Sequence, residues 1–331
     1  MSLNMTVPPA IQVGVWGIGE HATRTILPAL STCEMTHILA IGSRNSAVAE
    51  KHAKTLACRS TNGLDQLLDL EELDCVFVAS PIDRHFEDGI SVLEAGKHLW
   101  SEKTLCTSAE DALTLLEVAA DSDLAICVSN PPLYHSQFGI MADLLTKNAL
   151  GPIRTIHADF GFPHKDRENS RYKTGYGRGA IFDVGYYPLT IAASLFGDTP
   201  QIVGAVLESD EGFDVDTSGS ALLRFADGMH LTASWGYGRD YINEIRITGE
   251  DAALLARPVF SKPPHLPVRL ELIRENKHEE IAVCNKNQFV AMLEDFVKVT
   301  RDPAARNFRR LEAVTHQRLL NGVVDIAKLW G

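Results

Sequence analysis

Cysteine is scarce and scattered in this 331-residue chain: Cys33, Cys58, Cys75, Cys106, Cys127 and Cys284 form no C-x-x-C pair and have no histidine at metal-ligand spacing. Such a set argues against a structural zinc or a disulfide framework and reads as small buried residues in a reducing cytoplasm. Positive charge is also short. Lysine and arginine number 31 against 43 acidic residues, a formal net charge of −12, so the surface as a whole repels nucleic acid and anionic membrane. No apolar run approaches the roughly 20 residues of a membrane span, and the N-terminus lacks the basic start and long apolar core of a secretory signal. Internal repeats, low-complexity tracts and long linkers are absent too. What these absences leave is a globular protein whose partners are small molecules.

The remaining composition, 45% hydrophobic and 22% charged over a length sufficient for two domains, fits that class. Its most informative stretch is Ile11-Gln12-Val13-Gly14-Val15-Trp16-Gly17-Ile18-Gly19-Glu20-His21-Ala22. A β-rich apolar run stops at a glycine pair, and a helix-compatible stretch, Thr23 to Leu30, follows at once. Strand, glycine turn and helix start in that order make a pyrophosphate cradle. Gly17 permits the tight turn, Gly19 lets the backbone approach the phosphates, and Ala22 fills the third glycine's place, where a small residue suffices. The helix N-terminus adds unpaired N–H groups and the positive dipole end. Alone, G-x-G-x-x-A is equally an ordinary glycine turn, so its context decides. Apolar strand candidates at 36–41, 74–79, 98–101 and 124–129 alternate with helical patterns at 46–56, 64–70, 84–95 and 108–121. Asn45 is placed to cap the first of those helices. Residues 1–129 therefore read as an α/β domain, a doubly wound parallel Rossmann sheet that binds NAD(P).

After Asn130-Pro131-Pro132 the texture changes. One amphipathic helix near 136–148 leads into strand-like runs at 153–162, 202–208, 221–225, 229–235, 242–248 and 268–273, with Asp227-Gly228 as a hairpin signal between two of them. Consecutive strands without helices between them imply a largely antiparallel open sheet, and two helices close the chain at about 287–300 and 310–329. Residues 130–331 read as an α+β domain for substrate and oligomerisation. One face of its sheet is expected to be covered by helices and the other by a second copy, in a homodimer or homotetramer.

Four motifs now stand in order: Gly17-Ile18-Gly19-Glu20-His21-Ala22, Ala79-Ser80-Pro81-Ile82-Asp83-Arg84-His85, the segment from Glu94-Ala95-Gly96-Lys97-His98 to Glu102-Lys103-Thr104-Leu105, and Asp183-Val184-Gly185-Tyr186-Tyr187. Together they resemble the glucose–fructose oxidoreductase/inositol dehydrogenase (Gfo/Idh/MocA) family, with its A-T-P-x-x-x-H, E-A-G-K-H-V-x-x-E-K-P-L and D-x-G-x-H/Y segments. Leu150 to Arg154 and Ile245 to Gly249 match weaker signatures of the second domain. The resemblance spans nearly the whole chain. It implies nicotinamide-dependent redox chemistry on a sugar, a polyol or a related alcohol. Two departures stand out. Thr104 replaces the usual proline, and Tyr187 stands where many members have histidine, as in the branch of dihydrodiol and xylose dehydrogenases. The resemblance further implies cofactor contacts from Gly17, Ile18, Gly19, Glu20, Ala79, Ser80, Pro81, His85, Glu102 and Lys103, with Lys103 at the nicotinamide and the reacting hydroxyl.

Cofactor preference is legible after the second strand. An NAD site usually places an acid there for the ribose 2′-OH. Residues 41–45 hold none and offer Ser43 and Arg44, a hydroxyl and a guanidinium suited to a 2′-phosphate. NADP is the expected cofactor, with NAD possible; the plain alternative for Arg44 is a solvated surface arginine. Alcohol oxidation requires a group to take the hydroxyl proton, and Tyr187 is the candidate. A free tyrosine titrates near about 10, and a neighbouring Lys103 ammonium is expected to lower that value. Asp183, four residues before Tyr187, shares a helical face with it and either accepts a substrate hydroxyl or holds Lys103; without Asp183 and Gly185, Tyr186-Tyr187 would read as a core aromatic pair. The basic, glycine-rich run Pro163 to Gly179 is expected to line the mouth of the site, with Arg171 as a substrate contact and Arg167 and Lys173 favouring an acidic or phosphorylated substrate. It reads equally as a mobile surface loop. His135 is a lesser pocket candidate. The function expected is an NADP-dependent oxidoreductase using Lys103, Tyr187 and Asp183; the alternative is a non-enzymatic, cofactor-sensing regulator of the same fold.

Overall fold

Val13 and Val15 have no exposed surface, as a central strand covered by helices on both faces requires. The computed structural model describes residues 8–174, 179–197, 199–284 and 286–328. Strands β1 (Ile11–Trp16), β2 (Thr36–Gly42), β3 (Arg59–Thr61), β4 (Cys75–Val78), β5 (His98–Ser101) and β6 (Ile126–Val128) form a parallel sheet in the order β3-β2-β1-β4-β5-β6. The order reverses between β1 and β4, which opens a crevice at their carboxyl ends. Helix Ser46–Leu56 starts where Asn45 accepts a hydrogen bond from the Val48 amide at 3.3 Å. The sequence pattern does not announce β3, whose Arg59 and Ser60 are exposed.

The second sheet contains β7 (Ile153–Phe162), β8 (Gln201–Glu208), β9 (Ser218–Arg224), β10 (His230–Tyr237), β11 (Ile242–Gly249), β12 (Ala253–Arg257), β13 (Arg269–Arg274) and β14 (Lys277–Glu280), in the order β14-β13-β12-β11-β7-β10-β9-β8. Its pairings are antiparallel except β7 with β10 at the centre. Alternate residues Ile156, Ala158, Phe160, Leu231, Ala233 and Trp235 are buried in one core with Leu189, Ile191 and Ala192 of helix Tyr186–Phe196. On the opposite face His157, Thr232 and Arg246 are exposed. The Asp227-Gly228 hairpin closes with the Phe225 amide donating to the Met229 carbonyl at 2.8 Å.

The first closing helix returns to the first sheet, and the second bridges the two sheets. Helix Gln288–Arg301, capped by Asn287, buries Phe289, Met292, Leu293, Phe296 and Val297 in the same core as Val13, Val15 and Trp100. Phe296 meets Trp100 edge-on at 5.6 Å. The last helix begins at Pro303, earlier than its apolar pattern suggests. Its first turns are fastened by arginines: Arg306 Nε donates to Asp123 Oδ1 at 3.1 Å, and Arg310 Nη1 to the carbonyls of Ala119 and Leu124 at 2.8 and 3.2 Å. We propose that the chain changes domain at 129/130, with helix Gln288–Arg301 and the first turns of the last helix completing the first domain, whereas Leu319, Leu320 and Val323 of that last helix pack in the core of the second sheet. Among the described residues no helix is long and apolar enough to cross a membrane.

Candidate active site

At the end of β1, Gly17 adopts φ +95°, and a Cβ there would collide with the Ser80 amide. Only glycine lets the turn lie flat against the Ala79–Ser80 backbone. Gly19 faces open space, with no atom within 4 Å of where its Cβ would be. The helix after the glycines opens with a π-helical turn, Ala22–Ile26. Behind the turn, buried Asp88 accepts from Trp16 Nε1 at 3.0 Å and from Ser80 Oγ at 2.6 Å, fixing the end of β1 to the loop after β4. The His85 imidazole is buried too, one nitrogen 2.7 Å from the Thr104 carbonyl and the other 2.8 Å from that of Ser80. It braces the Ser80 and Thr104 loops. Ser43 Oγ accepts from the Asn45 amide at 3.2 Å. Arg44 is exposed beside it, and among the described residues no partner engages its guanidinium.

Across the crevice, Lys103 Nζ donates to Asp183 Oδ1 and to the Asp183 carbonyl, both at 2.8 Å, and lies 5.3 Å from the centre of the Tyr187 ring. Asp183 Oδ2 accepts from Arg171 Nε at 2.7 Å and from the Tyr237 hydroxyl at 2.9 Å. The turn Ile181–Gly185 is π-helical and runs into helix Tyr186–Phe196. Gly185 packs on Trp235, whose indole a Cβ would strike at 2.9 Å. Hence the glycine of D-x-G-x-Y is a packing requirement for the turn that carries both side chains. Thr104, at the usual proline position, follows a cis Lys103–Thr104 bond and donates through Oγ1 to the Phe182 carbonyl at 2.8 Å.

Burial opposes ionisation of Asp183, but the Lys103 and Arg171 cations overcome it and hold the carboxyl well below the usual carboxylate range. Burial works against the Lys103 ammonium as well; Asp183 outweighs it and raises the lysine above its ordinary value. Tyr187 differs from the sequence expectation. Burial raises its phenol above the ordinary value, and although Lys103 pulls the other way, Glu102 and Asp183 add to the rise. The physical reason is burial of the phenol, which outweighs the pull of the Lys103 ammonium, while the Glu102 and Asp183 charges oppose that pull as well. Tyr187 is thus kept as a neutral phenol, 7% exposed and edge-on to Phe160 at 5.6 Å.

Sequence reasoning missed two residues here. Tyr237 carries no motif and reaches Asp183 only through the register of β10. His21, inside the glycine motif, lies 3.5 Å from Glu102. Burial disfavours its charge, yet Glu102 raises the imidazole above its usual value. The basic loop is less cationic than its composition suggests. Arg171 is committed to Asp183, Lys173 Nζ lies 3.2 Å from Glu168, and Arg167 donates to the Glu211 carbonyl at 3.4 Å. Residues 175–178 of that loop lie outside the described residues. His135 accepts the Gln137 amide at the start of helix Ser136–Thr146, and burial together with Lys262 lowers its pKa to about 4. Its visible role is structural.

Comparison with known proteins gives this geometry a lineage. Residues 11–130 match the model described as an oxidoreductase family with NAD-binding Rossmann fold, and residues 138–255 match the GFO/IDH/MocA C-terminal domain. A dTDP-3,4-didehydro-2,6-dideoxy-alpha-D-glucose 3-reductase from Streptomyces violaceoruber is 32% identical over 294 residues, 88% of this chain and 86% of its own. The chain belongs to the GFO/IDH/MocA family. Among solved structures, a 3-ketoreductase from Actinomadura kijaniata, in complex with NADP and TDP-benzene, superposes with a TM-score of 0.91 at 29% identity, covering 96% of this chain and 98% of that one. A D-xylose 1-dehydrogenase (NADP(+)) from Haloferax volcanii is 23% identical over 95% of this chain and 97% of its own. This GFO/IDH/MocA member is accordingly an NAD(P)-dependent oxidoreductase, built from a parallel Rossmann-like sheet and a mostly antiparallel second sheet.

Proposed function

We propose that this protein reduces the keto group of a sugar carried on a nucleoside diphosphate, with NADPH as reductant. The observation that carries the reading is Tyr187 held as a neutral phenol beside Lys103, itself anchored on Asp183. Carbonyl reduction takes a proton from such a phenol and the reverse oxidation returns one, so the reductive direction rests on the relatives. The sugar-nucleotide part rests on relatives: the 32%-identical reductase acts on a dTDP-linked dideoxy sugar, and the 3-ketoreductase was crystallised with NADP and a TDP derivative. That 3-ketoreductase has also been crystallised with one tyrosine changed to phenylalanine and one lysine to alanine or glutamate.

The residues present fit a bound NADP. Gly17 and Gly19 would admit the pyrophosphate, Ser43 and Arg44 the 2′-phosphate, and Glu102, whose Oε1 is 3.5 Å from His21 Nε2, would meet the nicotinamide end. When bound, the cofactor supplies the hydride equivalent that reaches the carbonyl carbon. As that carbon–oxygen double bond becomes single, the oxygen takes the Tyr187 hydroxyl proton. The Lys103 ammonium stabilises the phenolate left behind, and a proton from water restores the phenol. Asp183 keeps Lys103 from swinging into solvent, and Arg171 and Tyr237 fix Asp183 in turn. No observation favours the non-enzymatic regulator.

The test follows nicotinamide absorbance with NADPH and a dTDP-linked 3-keto sugar, against free monosaccharides, polyols and dihydrodiols with NADP⁺. Turnover confined to the nucleotide-linked ketone is expected. Turnover confined to free D-xylose or a dihydrodiol would overturn the substrate assignment.

A further inference from the structure

Behind the turn that presents Asp183 and Tyr187 lies the Asp216 carboxylate, which pairs with no cation among the described residues. The Ile181 amide donates to Asp216 Oδ2 at 2.8 Å, and the Ala180 amide to the Asp216 backbone carbonyl at 2.8 Å. These are first-turn donors that the helix cannot satisfy internally. Gly179 closes the arrangement: at φ +88° it has no room for a Cβ, which would collide with the Asp216 carboxylate. The same segment reaches Asp183 by a second route. The Thr217 carbonyl accepts from the Tyr237 amide at 2.8 Å, and the Tyr237 hydroxyl bonds Asp183. Resting on the roles given above to Asp183 and Tyr187, we propose that Asp216 is a positioning residue: ionised, it clamps the first turn of the helix that presents both groups, and protonated, it lets that turn loosen.

The charged form is the stronger acceptor for a backbone N–H. Burial nevertheless raises the carboxyl, against the pull of the amides of Ile181, Asp216 and Ala180, to about 7. Tyr237 of β10 is the titratable neighbour that feels its charge. The clamp therefore changes state near neutrality, and an asparagine at 216 would accept the same amide without titrating.

Hydrogen exchange of the segment 179–187, corrected for intrinsic rates, tests this in the full chain at about pH 6 and about pH 8, which bracket that value. Between those conditions ionisation rises about tenfold, so protection should rise by about the same factor. In Asp216→Asn protection should be the same at both, and in Asp216→Ala low at both. NADPH affinity by fluorescence should change less than about twofold in either variant, because the clamp lies in the other domain. A pH dependence that survives in Asp216→Asn overturns the proposal, and so does full protection in Asp216→Ala; if the alanine variant does not fold, the asparagine variant decides alone. No substrate is needed, so this arm stands even where the sugar-nucleotide reading fails. With a turned-over substrate, Asp216→Asn should lose a kcat limb near neutrality, and an unchanged profile would refute the positioning role.

Discussion

Replacing Asp183 with asparagine should lower the pKa of the Tyr187 phenol. The carboxylate is 2.8 Å from an ammonium that is itself 5.3 Å from the ring centre, so it lies no farther than about 8 Å from the ring. Two unit charges about 8 Å apart at an effective dielectric near 20 interact by about 2 kcal/mol, equivalent to about 1.5 pK units. Removing the negative charge removes that share of the upward push on Tyr187, while burial and Glu102 still oppose the Lys103 field, so the phenol titrates lower than in the unmutated protein. Asparagine keeps an acceptor for Lys103 but not its charge, which should cost about tenfold to a hundredfold in kcat. Ultraviolet titration of tyrosinate in Asp183→Asn, with Asp183→Asn/Tyr187→Phe as the reference, isolates the phenol without any substrate. An unmoved or higher value would mean that the lysine's charge is not what the carboxylate masks, and the electrostatic account of the pair would fall.

Tyr187→Phe should retain NADPH binding and lose about 10²–10⁴-fold in kcat; a variant keeping most of its turnover would pass the proton to another group. Arg44→Ala should weaken NADPH by about 1.5–3 kcal/mol while leaving NADH alone, as competitive titration of the two cofactors would reveal. The stability contributed by Asp183, whose folded value is depressed, should be complete above about pH 4 and lost as pH falls through the folded value, visible as an acid-side fall in Tm that Asp183→Asn lacks. Light scattering at micromolar concentration should find a dimer or tetramer, with Val206 and Leu222, 51% and 40% exposed on the open sheet face, covered by the second copy; a lone species near 36.3 kDa would refute it.

The sequence is most legible where one physical requirement dominates. Val13 and Val15 must be central because nothing polar interrupts them, and Gly17 must turn because its neighbours leave no room for a Cβ. The sequence leaves Asp183 two partners, a substrate hydroxyl or Lys103, and the structure shows the Lys103 contact across 80 residues of chain. Charge balance is harder to read. Whether Lys103 activates Tyr187 depends on how deeply the phenol is buried and on the Glu102 and Asp183 charges set against the lysine, and a row of letters contains no distances. Arg171 and Lys173 look like free cations in sequence and are paired in space for the same reason. β3 and β14 escape the pattern because they are edge strands with little apolar alternation, β12 because it is only five residues long although interior and largely buried, and the early start at Pro303 is set by Arg306 and Arg310 finding partners in the first domain.

The helix Gln288–Arg301 has a bearing on how this protein is made. Its Phe289, Met292, Leu293 and Phe296 supply one wall of the core around Val13 and Trp100, so a ribosome that has delivered the first 129 residues has delivered an open sheet. That wall emerges more than 150 residues later, after the whole second sheet has been synthesised. The nucleotide-binding half, first in the chain, is therefore the last to close. A fragment cut at 129/130 should expose that apolar face and aggregate, whereas one that carries 288–301 on a short artificial linker should stay in solution and bind NADPH.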